Sequence, residues 1–323
     1  MEFHLSYHPK PFETGISHEQ KIFLIGSCFT EQIGNKLAMH KFRTFENPNG
    51  ILFNPVSICR SVASYISGRQ YTEGDLFYQN ECWNSWDHHS RFSDPDKVQC
   101  MERINRSQSG AHVFLQQADW LLVTLGSAFV YCLEDGTVVA NCHKVPTDKF
   151  SKHLLRIDQV TDQLQNLISS VQAFNPGVRI IFTISPVRHL RDGLVENNRS
   201  KAALISAVHS VVESADRCVY FPAYELVIDD LRDYRFFAED MVHPNYAATQ
   251  YVWEKFVAAC IDEPSRQLMR SINEINAARN HKPFNPGSAA HKKFLQSNLE
   301  KILLLKKQFS YIDFAEEISY FNK

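Results

Sequence analysis

A chain of 323 residues with a 44% hydrophobic share and a formal net charge of −2 is long enough to bury a large α/β core, as one domain or two smaller ones. That charge offers no field for nucleic acid or an anionic membrane surface, and no basic run of the kind that tracks phosphates is present. The longest apolar runs, such as Leu121 to Leu125, are too short to span a bilayer, and Met1 to Lys21 has no signal-peptide core. The expectation is a cytoplasmic protein with no nucleic-acid or membrane partner. Its eight cysteines form no CxxC pair, so they are read as reduced, mostly buried side chains that build no zinc cluster.

In chain order, the first element is a short apolar run, Lys21 to Ile25, that stops at Gly26-Ser27-Cys28-Phe29 and passes at once into an amphipathic stretch, Thr30 to His40. That pattern predicts a buried strand, a tight turn and a helix start, with the Ser27 hydroxyl exposed at the rim of a sheet. A short run, Lys41 to Phe45, leads to the loop Asn47-Pro48-Asn49-Gly50, and Asn54-Pro55 opens a helix to Ile66 as an N-cap and N1 pair. Tyr71 to Arg106 is rich in Trp, His, Asp and Ser with weak periodicity, and reads as an insertion, a hairpin and loop over one end of the sheet. Buried strands are predicted at Trp120–Leu125, Val178–Ile184 and Arg217–Phe221, and a hairpin at Tyr131–Ala140 turning at Glu134-Asp135-Gly136. Helices are predicted over 151–174, 198–215 and 245–261, then over 265–279 and 291–307 beyond a Pro-rich break. Strands alternating with helices argue a doubly wound parallel sheet, an α/β fold. The division is a domain over 1–262 and a helical extension over 263–323, which could also serve as a homo-oligomer contact.

Open parallel sheets place their sites at the carboxyl ends of the strands. Here those ends carry Gly26-Ser27-Cys28, Gly126-Ser127 and Ser185-Pro186-Val187-Arg188-His189, and Asp240-Met241-Val242-His243 precedes the last helix of the domain. Together these form a candidate triad: Ser27 as nucleophile, His243 as base, Asp240 holding the second ring nitrogen. The backbone N–H of Ser27, the Asn49-Gly50 loop and Gly126-Ser127 are the candidate oxyanion donors. Taken singly, Gly-Ser after a strand is an ordinary turn and Asp-x-x-His a helix cap; their agreement in fold position raises both. Cys28, next in sequence, is expected to direct its side chain away from the rim. His89 in the cluster Trp86 to Arg91, His143 in Cys142-His143-Lys144, and the Arg188-His189 pair are candidate rim or substrate-binding groups. Each also has a bland reading as a solvated loop, a structural histidine or a salt-bridged loop. Trp83 and Trp86 either stack on a sugar ring or pack the insertion onto the domain.

Gly26-Ser27-Cys28-Phe29 resembles the signature of the GSCFA domain family, within the SGNH (GDSL-like) hydrolase superfamily. Asn47 to Gly50 with Asn54-Pro55, Asn141 to Lys144, Ser185 to His189 and Glu196 to Lys201 support it. The resemblance covers roughly Lys21 to Ile261. It implies a three-layer α/β/α fold with a parallel sheet in flavodoxin-like order, serine ester hydrolysis, and Ser27, Gly50, Asp240 and His243 in the matching blocks. The third block departs, with Ala128 where the superfamily has an oxyanion asparagine, and no aspartate precedes Ser27. The reading is a serine esterase acting on a small-molecule or carbohydrate ester, such as an acetyl ester, with no cofactor. Its rivals are an acyltransferase with the same triad, a non-catalytic binding module of the same fold, and a redox or metal role for the cysteines.

Overall fold

A computed structural model describes residues 5–322. Five parallel strands form the central sheet: β1 (Lys21–Gly26), β2 (Arg43–Glu46), β5 (Trp120–Leu125), β9 (Arg179–Ile184) and β10 (Cys218–Phe221). Their spatial order is β2-β1-β5-β9-β10. Renumbered within the sheet this is 2-1-3-4-5, the flavodoxin-like winding, which reverses direction between β1 and β5. Strand β1 shows how sequence sets the layers. Ile22 and Leu24 point to one face while Phe23 and Ile25 point to the other, and all four are fully buried.

On the Phe23 face lie α2 (Pro55–Ile66), α3 (Lys97–Gln116), α4 (Ile157–Phe174) and α5 (Leu194–Ser214). On the Ile22 face lie α1 (Cys28–Met39), the short α6 (Ala223–Glu225) with the turn that continues it, and α7 (Tyr246–Cys260). Sheet and helices thus make the expected three layers. Hairpin β3 (Phe77–Gln79) and β4 (Cys82–Asn84) and a small antiparallel sheet of β6 (Phe129–Cys132), β7 (Val138–Val139) and β8 (Ser151–Leu154) sit outside them. The C-terminal helices α8 (Glu263–Asn280), α9 (Ala289–Gln308) and α10 (Ala315–Phe321) share their own apolar cluster around Ile272, Ile302 and Phe314. Lys41 pairs with Glu317, and Asn276 donates to Met39 O, so this cluster abuts the end of α1.

The structure corrects the sequence reading in several places. The parallel sheet has a fifth strand, β2, which the short run before Asn47 only suggested. The helix expected over 151–174 is a strand followed by a helix, because Ser151–Leu154 pairs with β6 and Gln159 Oε1 accepts from Arg156 N at the helix start. The insertion ends in a regular 20-residue helix, α3, rather than a loop. Asp96 caps it by accepting from Val98 N and Gln99 N. Trp83 and Trp86 pack the insertion: Trp86 stacks on Phe77 at 3.7 Å and Lys97 lies over Trp83. Among the described residues no helix is long and apolar enough to cross a membrane, and all eight cysteines are unpaired.

Candidate active site

The carboxyl ends of β1 and β5 flank the point where the winding reverses. Gly26 closes β1 with φ +142°, and a Cβ there would lie 2.1 Å from Thr124 O, so β5 can approach this closely only because the residue is glycine. Asn47, in the loop after β2, accepts from Gly26 N through Oδ1 at 2.8 Å. Ser27 then starts α1 as its N-cap: Ser27 Oγ accepts from Phe29 N at 3.3 Å, and Ser27 N donates to Thr124 O at 3.3 Å.

The second half of the site is the turn before α7. Asp240 Oδ1 accepts from Val242 N (2.9 Å) and His243 N (3.0 Å), and its Oδ2 is hydrogen-bonded to His243 Nδ1 at 2.7 Å. These bonds, the backbone N–H of His243 first, hold the Asp240 carboxyl down at about 2. The turn also needs Met241 at φ +56°, a conformation that favours glycine. It is clamped on both sides, because Arg188 N donates to Val242 O (3.1 Å) and Ala238 N to His243 O (2.8 Å). The turn is therefore docked on the loop that follows β9. The His243 side chain is half exposed, and its Nε2 has no hydrogen-bond partner among the described residues.

Sequence and structure differ most at Ser27. The hydroxyl expected at an exposed rim is fully buried, and none of its hydrogen bonds reaches His243. Cys28, expected to face away, is the more exposed of the two. Burial and then Glu31 push its thiol up, so it stays protonated and a poor nucleophile near neutral pH.

The expected oxyanion donors are also committed elsewhere. Gly50 N donates to Asn47 O (2.7 Å), and Gly126 N and Ser127 N share Phe53 O (2.8 and 3.0 Å). Asn49 is buried and structural: its amide donates to Ser61 Oγ and Asp87 O, and its oxygen accepts from Tyr65. Ser127 Oγ accepts from Phe129 N and meets Ser200 Oγ, while Ala128 is buried with its N–H on Ser200. One free amide stands at this edge. Asn54 caps α2 through Oδ1, leaving Nδ2 without a partner among the described residues, and it lines the adjoining cavity.

The three rim histidines have separate fates. His89 packs against Gly50, where a Cβ would lie 2.2 Å from its own Cβ, and its N–H holds Asn49 O. His143 is buried with Nε2 on Ser85 O, a structural role. His189 sits edge-on to Phe53, and its N–H donates to Asn197 Oδ1. Burial, then Lys201 and His243, lower its ring to about 3, so it is neutral. Arg188 forms no salt bridge among the described residues; its guanidinium lies 3.9 Å over Phe237.

Lys201 is the residue that the sequence reading did not assign. It is fully buried on α5, and its Nζ donates to Gly126 O (2.7 Å) and Ser185 O (2.6 Å), tying the loops after β5 and β9 together. Burial lowers it to about 7, and the neighbouring Cys28 pushes weakly the other way. A neutral amine has two N–H groups, enough for those two carbonyls. Its signal was in the sequence: Lys201 lies at i+4 from Asn197 and shares a helix stripe with the buried Leu204 and Val208.

Beside the Asp240–His243 turn opens a cavity of about 780 Å³ whose wall includes Phe53, Asn54, Ser127, His189 and Val242. Comparison with known proteins sets this chain in a family. No curated protein matches the chain. Solved structures that resemble it include a family 3 carbohydrate esterase from Talaromyces cellulolyticus (11% identity, 79% of this chain and 99% of that one, TM-score 0.34). Others are an acetyl xylan esterase from the rumen bacterium Butyrivibrio proteoclasticus (11%, 75% and 63%, TM-score 0.39) and a family two carbohydrate esterase from Clostridium thermocellum (15%, 77% and 64%, TM-score 0.37). At TM-scores this low the likeness transfers neither substrate nor mechanism. The sequence match is firmer: residues 21–256 match the GSCFA family and residues 272–323 match the GSCFA domain protein, C-terminal domain. With most of its length matched, the chain belongs to the GSCFA family.

Proposed function

We propose that this protein is a serine ester hydrolase of the SGNH type, with Ser27 as nucleophile, His243 as general base and Asp240 as its orienting carboxylate. The observation that carries the reading is the Asp240–His243 bond of 2.7 Å, which leaves Nε2 free at the same sheet edge as Ser27. A carboxylate on Nδ1 fixes the tautomer that accepts a proton at Nε2 and stabilises the imidazolium that follows. Ser27 Oγ attacks the ester carbonyl, Nε2 takes its proton and returns it to the leaving alcohol, and water cleaves the acyl-enzyme by the same route. The substrate is a short acyl ester, such as an acetyl group on a carbohydrate.

Two features shape the mechanism. Ser27 is buried, so substrate access requires the groups covering it to part and the weak cap to Phe29 N to yield. The backbone donors are committed, so the Asn54 amide stands in for the missing third-block asparagine as an oxyanion donor. The burial of Ser27 favours one rival, a binding module of this fold without turnover.

Hydrolysis of 4-nitrophenyl acetate separates the two. Asp240→Asn is expected to lower kcat by roughly 100- to 10,000-fold with a native circular dichroism spectrum, because the imidazole loses its tautomer and its charge partner. A wild-type protein with no turnover above buffer, or a variant as active as wild type, refutes the hydrolase reading. Product analysis with an added alcohol distinguishes hydrolysis from acyl transfer.

A further inference from the structure

The cavity beside the Asp240–His243 turn differs in charge from the chain as a whole. The chain as a whole carries −2. The cavity wall carries four cations, Lys144, Lys152, Arg188 and Arg191, against one carboxylate, Asp192. That carboxylate is already taken, by a salt bridge to Lys152, whose ammonium also lies over Phe129 and Tyr131. Lys144, Arg188 and Arg191 make no ion pair with a carboxylate among the described residues. Three uncompensated cations around one concave surface raise the local concentration of anions. Guanidinium groups in particular match the planar geometry of carboxylate and phosphate.

The wall is also aromatic. Phe53, Phe129, Tyr131 and Phe150 are each partly exposed on it, which suits the apolar face of a ring. The loop that carries Lys144 is built with two successive left-handed residues, His143 at φ +48° and Lys144 at φ +59°. Two non-glycine residues in that region are energetically unfavourable and persist only where packing enforces them. Here the buried His143 ring, bonded to Ser85 O, is the anchor. The strained turn therefore fixes the backbone that presents Lys144 at the cavity rim.

We propose that this cavity binds the anionic carrier of the ester, a sugar-like ring bearing a carboxylate or phosphate, with Arg188, Arg191 and Lys144 holding the charge and the aromatic wall holding the ring. The proposal rests on the hydrolase reading only in naming the bound molecule as the ester's carrier. Val242 and His189 line the same cavity, so a ring seated there lies against the turn that holds His243.

Binding tests this without turnover. Methyl β-glucuronide (carboxylate), glucose 6-phosphate (phosphate) and methyl β-glucoside (neutral) are titrated calorimetrically into the full chain and into Ser27→Ala, which leaves the cavity wall intact. At least one anionic probe is expected to bind about tenfold or more tighter than the neutral one, and the stronger anion identifies the source of the charge. Arg191→Gln, on an exposed side chain, is expected to remove most of that preference, and Arg188→Gln likewise. Equal binding of all three probes, no anionic binding up to about 20 mM, or a preference that survives both substitutions overturns the proposal. Anion binding without any ester hydrolysis would instead sink the hydrolase reading alone, and hydrolysis without anion preference would sink this one alone.

Discussion

Ser27→Ala is expected to lower hydrolysis of a short aryl ester by roughly 10,000-fold or more while the fold persists, because removing the nucleophile of a triad abolishes the acyl-enzyme route. The structure predicts a small stability effect for the same change. Ser27 Oγ makes one long cap bond, to Phe29 N at 3.3 Å. Loss of a serine N-cap costs about 0.5–2 kcal/mol, and a bond this long belongs at the low end. Alanine also fits a site where the side chain is already fully enclosed. Kinetics and thermal denaturation on one preparation therefore separate chemistry from folding. A variant that keeps turnover removes the nucleophile assignment, whatever its melting temperature.

The second large effect is at Lys201. Its amine is sealed inside the protein and holds Gly126 O and Ser185 O. Lys201→Met preserves length and removes both donors, and each buried carbonyl left without its partner costs about 1–3 kcal/mol. The loss depends on pH. Burial lowers the folded-state value of Lys201 to about 7 from 10.5. Below about pH 7 both folded and unfolded chains hold the proton, and the folded state carries the full penalty of a buried ammonium. Between about 7 and 10.5 the unfolded chain holds a proton that the folded chain has released, so unfolding takes one up. Wild-type stability then rises with pH, relative to Lys201→Met, by up to about 1.4 kcal/mol per pH unit. Urea unfolding of both proteins at intervals from pH 6 to 10 checks this; a constant difference across that range refutes the assignment of a neutral amine.

Much of the fold was legible because its strands are apolar on both faces. Lys21–Ile25 and Trp120–Leu125 stand out in sequence, and both pair in the central sheet. The edge strand β2 did not, since Arg43-Thr44-Phe45-Glu46 is covered on one side only and keeps its polar residues. Helix α3 was missed for a different reason. Its buried stripe of Cys100, Ile104, Ala111 and Leu115 contains Gln108, which is buried and donates to Ser64 Oγ. A polar residue inside a stripe blurs the periodicity although the geometry is regular. Lys201 hid in the same way on α5. At residues 151–154 the opposite error arose: Leu154, Leu155 and Ile157 fit a helical pattern, but pairing with β6 claims the first four residues for a strand.

The site divides along similar lines. The Asp240–His243 pair is local, three residues apart, so its bond could be expected from spacing alone. The exposure of Ser27 is not local. It depends on what distant segments place over the sheet edge, and the segment after β2 is sewn to the insertion by Arg91, which reaches both Glu31 and Asn47 O. The backbone donors failed as expectations for the same reason. Whether Gly126 N is free depends on Phe53 O, some seventy positions earlier in the chain.

The most direct test of the central claim is labelling by a serine-reactive fluorophosphonate, with the modified peptide mapped by mass spectrometry. A single adduct on Ser27 is expected in the wild type, absent in both Ser27→Ala and His243→Ala. An unlabelled wild type, an adduct on another serine, or labelling of Ser27 that is indifferent to loss of the imidazole would contradict it.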